Sequence, residues 1–403
     1  MKTEGAGKFT LRYSLIQGFF WMNYAAIMGF SSVYLLECGM TNAQIGMLLA
    51  IAGIVAAAAQ PFVAGYADRP SALSLKKIVS IGCVTAIILG ILLFTVYQKS
   101  VILTGLFYGS CAVLLQFLLP FVNSLGTEMI SQGKRLNWGF ARGIGSAAYA
   151  VVSYILGIFV AKAGVISIPG TIIFCYVLLL AAVLVYPFSK NTESEKQEHT
   201  ETADKAQSTN TMFLKKYPRF TAILLGTTLL YLSHHLINTF LFQIIQAKGG
   251  GSAENGVVMS LCACMELPTL FLFSFLLKKA KCETWYKVSA VFIALKSIGT
   301  LLVPSLPLLY AVQIFQMLGW GLLSVAPVYY ANRVITGGDA IKGQAYMAMT
   351  CTLGSVLASF LGGNLIDALG VNVMVGVSFA AGVIGAVIVW MFAEKTGGIS
   401  EEK

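Results

Sequence analysis

The sequence predicts an all-α membrane protein, with twelve transmembrane helices in two six-helix bundles. Three observations carry this prediction. Of 403 residues, 57% are apolar and only 11% are charged, less than half the ~25% charge of soluble domains. Apolar stretches recur at lengths near the ~20 residues with which a helix crosses a bilayer. One polar stretch near the middle divides them evenly. A soluble chain of this length would need a polar coat that this composition does not supply. The composition therefore excludes a soluble enzyme, a nucleic-acid-binding protein and a disordered chain.

The first span is expected near 11–34. It follows a polar start and runs past signal-peptide length without a small-residue cleavage site, so it reads as a retained helix. Spans near 43–67, 77–97, 101–128, 138–161 and 169–188 complete the first half. None alternates polar and apolar residues as barrel strands do, so helices are the expected form. Residues 189–218 (SKNTESEKQEHTETADKAQSTNTMFLKKYP) lack apolar periodicity and read as a flexible cytoplasmic linker. The second half holds spans near 219–246, 255–277, 285–303, 307–333, 343–366 and 372–393. The expected domains are thus 1–188, the linker 189–218, and 219–403 with a short cytoplasmic tail.

The net charge of +10 is distributed by face. Lys99, Lys162 and Lys248 fall on one side of the twelve-span layout. Arg142 and Lys296 fall within spans. The other 22 of the 27 basic residues lie on the opposite side. The positive-inside rule then places both termini in the cytoplasm, in a cell-membrane protein. The charge is an orientation signal, and no nucleic-acid partner is expected.

Little else suggests chemistry. The eight cysteines show no metal or redox spacing, and the Cys262/Cys264 pair inside an apolar run reads as small-residue packing. Gly143, Gly145 and Ala148 match a dinucleotide fingerprint formally, but inside a membrane span and after no strand. No catalytic motif, cofactor or metal site is predicted, so an enzyme is not expected. An echo of Gly145-Ser146 at Gly354-Ser355 suggests two parallel halves.

Between the second and third spans stands Gly65-Tyr66-Ala67-Asp68-Arg69, followed by Lys76 and Lys77. This resembles the loop signature of the major facilitator superfamily, stretched here around Pro70. The resemblance implies that fold, and a cytoplasmic gate in which Gly65 permits close helix approach while Asp68 and Arg69 pair across it. A solvated charged turn is the competing reading. Asp367 is assigned to gating with them.

A closer resemblance is to the oligosaccharide:proton symporter branch, which includes the lactose permease, and to phenylpropionate- and nucleoside-permease-like relatives. It is carried by YAAIMGFSSVYLLECGMTNAQIGMLLAIAGIVAAAAQPFVAGYAD (24–68), NWGFARGIGSAAYA (137–150), GVVMSLCACMELP (256–268) and GGNLIDALG (362–370). It implies a sugar-contacting role for Glu266, a hydroxyl-binding arginine at Arg142 and a stacking aromatic at Tyr149. Asn123 stands where relatives carry a carboxylate, Lys296 where they carry an arginine. Gln316 and Gly319 replace a histidine and a proton-accepting glutamate.

The residues themselves support a site. Ionisable groups inside a membrane are costly, so Glu266, Lys296 and Arg142 are functional candidates by position alone. A structural Glu266–Lys296 ion pair and a snorkelling Arg142 are the competing readings. His235 and Asn238, three apart, share a helix face. His235 is a candidate proton relay beside Glu266, and Asn238 and Gln316 are candidate substrate contacts.

The expectation is a monomeric secondary transporter that imports a small polar solute, a sugar or oligosaccharide. A proton is the expected coupling ion, with sodium or uncoupled facilitation as alternatives. A drug or metabolite exporter and a non-transporting membrane sensor are the other readings.

Overall fold

Twelve helical spans account for nearly all of the computed structural model, which describes residues 4–67, 73–132, 134–187 and 210–394. Eleven helices are long and apolar enough to cross a membrane, and the bent pair Gly7–Gly29 and Ser31–Glu37 makes a twelfth. The first span is the helix Glu4–Tyr24, a π turn Ala25–Gly29 and the helix Ser31–Glu37, bent by 44°. The next five are Asn42–Ala67, Leu75–Val96, Val101–Ser131, Trp138–Ala163 and Ser167–Val185. No strand occurs among the described residues. Each predicted span corresponds to one observed span.

The second half repeats the first. Its seventh span is Pro218–Thr239 continued by Leu241–Gln246, and the eighth and ninth are Ser252–Lys279 and Cys282–Leu302. The tenth is broken into Leu306–Val312, Phe315–Leu318, Trp320–Leu323 and Ala326–Val334. The last two are Ala340–Leu369 and Val371–Phe392. A continuous tenth span was expected from its apolar run; backbone at Gly319 (φ −77°, ψ −88°) leaves the helical region and interrupts it. The eighth span stays helical through Pro268.

The linker also differs from expectation at its end. Most of 189–218 lies outside the described residues, but Asn210–Lys216 is helical. Phe213 is buried in the second-half core. Lys216 bonds Asp339 at 2.6 Å, tying this helix to the turn before the eleventh span. That hydrogen bond raises the Lys216 pKa.

Parallel repetition shows in the packing. Span one lies against five and six, two against four, and three against four and six. In the second half, seven lies against eleven and twelve, eight against ten, and nine against ten and twelve. The halves meet along two seams, two against eleven and five against eight. An axis along the membrane normal relates such parallel halves.

The register of the repeat is visible in single residues. Spans one and seven both break at a phenylalanine, Phe30 and Phe240. Both halves then turn at a left-handed glycine, Gly39 (φ +89°) and Gly249 (φ +80°). Spans five and eleven end at Gly164 (φ +82°) and Gly370 (φ +87°), a conformation that costs other residues strain. The Gly145-Ser146 echo is out of this register: matching the helix ends places Gly145 opposite Cys351, not Gly354.

Glycines bring the seams together at the face opposite the termini. A Cβ on Gly46 would lie 2.1 Å from the Ser359 carbonyl oxygen, and one on Gly363 would lie 2.1 Å from that of Asn42. In the other seam, a Cβ on Gly256 would lie 2.4 Å from the Ser153 oxygen, and one on Gly157 would lie 2.8 Å from that of Ser252. Only glycine permits such backbone contact.

Candidate functional site

Two polar clusters occupy the middle of the bundle. The first crosses the seam of spans five and eight. Arg142 Nη1 donates to Ser146 Oγ at 2.9 Å, and Ser146 Oγ donates to Glu266 Oε1 at 3.1 Å. Arg142 and Ser146 are four apart on one helix, so their side chains meet along the same face. Glu266 comes from the opposite half. A hydroxyl thus connects a guanidinium and a carboxylate that make no direct bond.

Trp21 holds the guanidinium from below. Arg142 Cζ lies 3.8 Å from the centre of the Trp21 ring, within cation–π range. Trp21 Nε1 donates to Gln17 Oε1 at 3.1 Å. Gln17 Nε2 donates to Tyr13 Oη at 2.7 Å and to Asn123 Oδ1 at 3.2 Å. Asn123 therefore reaches Arg142 only through Gln17 and Trp21. An amide fits here because it accepts from Gln17 without adding a buried charge.

The second cluster holds Lys296, which is 3% exposed. Its Nζ donates to Gln316 Oε1 at 2.6 Å and lies 3.9 Å from Cys262 Sγ. Cys262 Sγ in turn donates to Gln313 Oε1 at 3.0 Å. Both glutamines come from the broken tenth span. Thr269 Oγ1 donates to the Met317 carbonyl at 2.6 Å, inside that break. A discontinuous helix frees carbonyls that must find partners, and in transporters such breaks flank the site.

The expected single charged centre is therefore divided. Among the described residues, neither Arg142 nor Lys296 lies within ion-pair distance of Glu266. Both remain within electrostatic reach of its carboxylate. Burying an ammonium is tolerable when strong acceptors surround it, and Gln316 supplies one. That is what the amide at position 316 does here.

The seventh span contributes an aromatic wall. His234 stacks on Trp320 with centroids 3.9 Å apart and planes 6° apart. His235 meets the same indole edge-on at 5.8 Å and lies 3.9 Å from Cys351 Sγ. Asn238 bonds His234, one helical turn back. The i, i+4 spacing brings His234 and Asn238 together more closely than the three-residue spacing does. Trp320 also reaches toward the Glu266 carboxylate.

Tyr149 is half-buried beside the π turn of the first span. Its hydroxyl oxygen would lie 3.3 Å from a Cβ on Gly29. It shares the face of Arg142, as its spacing predicts.

The gating residues fall in different places. Asp68 and Arg69 lie outside the described residues. Gly65 lies in the helix Asn42–Ala67. Asp367 is at the face opposite the termini, not beside them. Its Oδ1 accepts from Asn42 Nδ2 and its Oδ2 from Ala43 N, both at 2.7 Å. Asn42 Oδ1 accepts from Gln243 Nε2 at 2.8 Å. The eleventh span thus caps the start of the second. A carboxylate suits that position because it meets unpaired backbone N–H groups.

Ser146, Trp21, Gln17, Trp320, Cys262 and Gln313 were not predicted from the sequence. Three of them had a local signal. Gln17/Trp21 and Arg142/Ser146 are i, i+4 pairs of polar or amphipathic residues inside apolar spans. The Cys262–Gln313 contact joins distant segments and had none.

The comparisons agree with this architecture. The nucleoside transporter NupG superposes with a TM-score of 0.75 at 15% identity, covering 95% of this chain and 98% of that one. A single-substitution mutant of NupG gives 0.78 at 14% identity with the same coverage. A bacterial homologue of the iron transporter ferroportin, in an inward-facing state, gives 0.69 at 14% identity, covering 96% and 99%. No curated protein sequence matches the chain. The MFS_1 like family matches residues 11–377. The chain belongs to that family, and it is a membrane transporter of the major facilitator fold.

Proposed function

We propose that the protein is a secondary active transporter that imports a small polyhydroxylated solute, a sugar or oligosaccharide, by alternating access. The observation that carries this reading is the Arg142–Ser146–Glu266 chain across the seam of spans five and eight. A fork of N–H donors, a hydroxyl and a carboxylate match vicinal hydroxyls, which both donate and accept. The two groups sit on opposite halves, so a solute that engages both biases the rocking of one half against the other. Trp21 and Trp320 supply apolar faces for the C–H side of a ring. Tyr149 and Asn238 are secondary contacts.

A proton is the proposed coupling ion, with Glu266 as its acceptor. Gln316 and Gly319 carry no proton near neutral pH, which leaves Glu266 as the carboxylate of the two central clusters. Protonation removes the charge that strengthens its hydrogen bond from Ser146 and its attraction to Arg142, so it weakens the link between the halves. His235 faces Trp320 beside this region and is the proposed relay.

Both termini are proposed to be cytoplasmic. The glycine seams and the Asp367 cap then close the outer face. Asp68 and Arg69 are proposed to close the inner face in the other state.

A nucleoside is the second reading. The indoles that flank the carboxylate favour it, since a base stacks where a pyranose does and a ribose offers the same hydroxyl pair.

A thermal-shift screen of the purified protein against sugars, nucleosides and aromatic acids selects among these classes. Stabilisation by aromatic acids alone would overturn the hydroxyl-binding reading. Single cysteines replacing Lys99 and Lys134 should label from opposite sides of the membrane, and same-side labelling would overturn the topology.

A further inference from the structure

A second cleft lies away from the centre. On the face bearing the termini, spans one, four and five diverge around a cleft of about 940 Å³. Leu11, Ile130 and Phe140 form an apolar wall, and they are 63%, 42% and 49% exposed. Lys134 and Arg135 form the rim, and both are exposed. Among the described residues, no carboxylate lies within 4.0 Å of either cation.

The cleft has a fixed floor. Asn137 N donates to Thr10 Oγ1 at 3.1 Å, joining the turn between spans four and five to span one. Asn137 Oδ1 accepts from Phe140 N at 3.0 Å and so caps the fifth span. The polar side chain at the floor is therefore occupied. What remains is a pair of exposed cations above an apolar wall, with Lys134 Nζ 5.8 Å from the centre of the Phe9 ring.

We propose that an anionic phospholipid occupies this cleft, its phosphate between Lys134 and Arg135 and its chains along Leu11, Ile130 and Phe140. The arrangement requires both parts. A soluble anion would be held by the rim but would leave three exposed apolar side chains uncovered. A neutral lipid would cover the wall but leave two cations unmatched. Basic residues at the membrane surface recognise anionic headgroups in this way, and apolar side chains at a span end belong beside acyl chains. The cleft also joins spans one and five, which carry Trp21 and Arg142. A lipid seated there braces the elements that hold the guanidinium, whatever solute the centre takes.

Native mass spectrometry of the purified full chain tests this, with phosphatidylglycerol and phosphatidylcholine of matched chains as probes. The wild type should retain phosphatidylglycerol preferentially. Lys134→Gln with Arg135→Gln should reduce that preference on the order of 10-fold or more. The charge-preserving pair, Lys134→Arg with Arg135→Lys, should keep it. Lys278→Gln with Lys279→Gln, on a different basic turn, should also keep it. Unchanged preference in the first pair would overturn the site, as would equal loss in the 278/279 pair. Displacement of phosphatidylglycerol by equimolar inorganic phosphate would assign the rim to a soluble anion instead and overturn the lipid. Should the neutral pair not yield folded protein, Arg135→Gln alone reads the same quantity, with a smaller loss expected and no loss overturning the site.

Discussion

The two seams between the halves share a backbone and differ in chemistry. Spans two and eleven meet through Gly46 and Gly363, and spans five and eight through Gly256 and Gly157. The carbonyls they press against are equivalent as well, Ser359 with Ser153 and Asn42 with Ser252. Yet Arg142, Ser146 and Glu266 on one seam correspond to Ala348, Thr352 and Ala56 on the other. The seam of spans two and eleven ends at Asp367, where the seam of spans five and eight carries Ala161. The repeat supplies two hinges of one shape. Side chains then make one seam the charged one and the other the capped one.

The comparison can be broken most forcefully at the glycines. Gly256→Leu and Gly46→Leu each force a side chain into backbone, and overpacking of this kind costs about 1–3 kcal/mol. Both should lose most transport and melt earlier. Loss in one variant with near-normal uptake in the other would show that the seams are not equivalent hinges.

Glu266→Gln tests the charged seam. It should abolish uphill, pH-driven accumulation while the variant still binds solute in a thermal-shift assay. Wild-type-like accumulation in proteoliposomes would remove Glu266 from coupling.

Asp367→Asn tests the capped seam. It weakens two charge-assisted bonds, each worth at most about 1.5–3 kcal/mol and less at this exposed carboxylate. The outer face should open more readily, seen as faster labelling of a cysteine placed at Ala43, whose backbone N–H is kept, than of the same cysteine with Asp367 intact. Slower or equal labelling would argue against a latch. Affinity should change less than turnover, because Asp367 lies at the end of span eleven and Arg142 near the start of span five, toward the opposite face.

The smallest effect separates two equivalent hydroxyls. Ser146→Ala removes a bond on each side of its oxygen and should cost about 1 kcal/mol, or roughly fivefold in apparent affinity. Thr352→Ala, at the matching place on the other seam, is exposed and should stay within about 0.5 kcal/mol. Equal effects would mean that Ser146 acts as packing.

Much of this architecture was legible in the chain. Hydropathy placed each span, because a helix in lipid must be long and apolar wherever it stands. The repeat was more legible than the Gly145/Gly354 echo suggests. Phe30 and Phe240, Gly39 and Gly249, and Gly46 and Gly256 are each 210 positions apart. They mark a bend, a turn and a seam contact. The site was legible only as isolated charges. Glu266, Arg142 and Lys296 stood out because their burial is costly. Which of them met, and through which atom, did not follow. The Asn238–His234 bond was not read from the sequence, which showed only the face that His235 and Asn238 share.

By itself the sequence determined the solvent, the number of spans, the two halves and the rarity of charge in the bilayer. Each is a sum over many residues or a cost that applies regardless of neighbours. Only the tertiary structure decided that Ser146 bridges Arg142 and Glu266, that Gln316 takes Lys296, that Trp21 carries the guanidinium and that Asp367 caps the second span. These contacts join segments up to 325 positions apart. They depend on angstrom-scale approach between helices, which glycine contacts set and which no local pattern encodes.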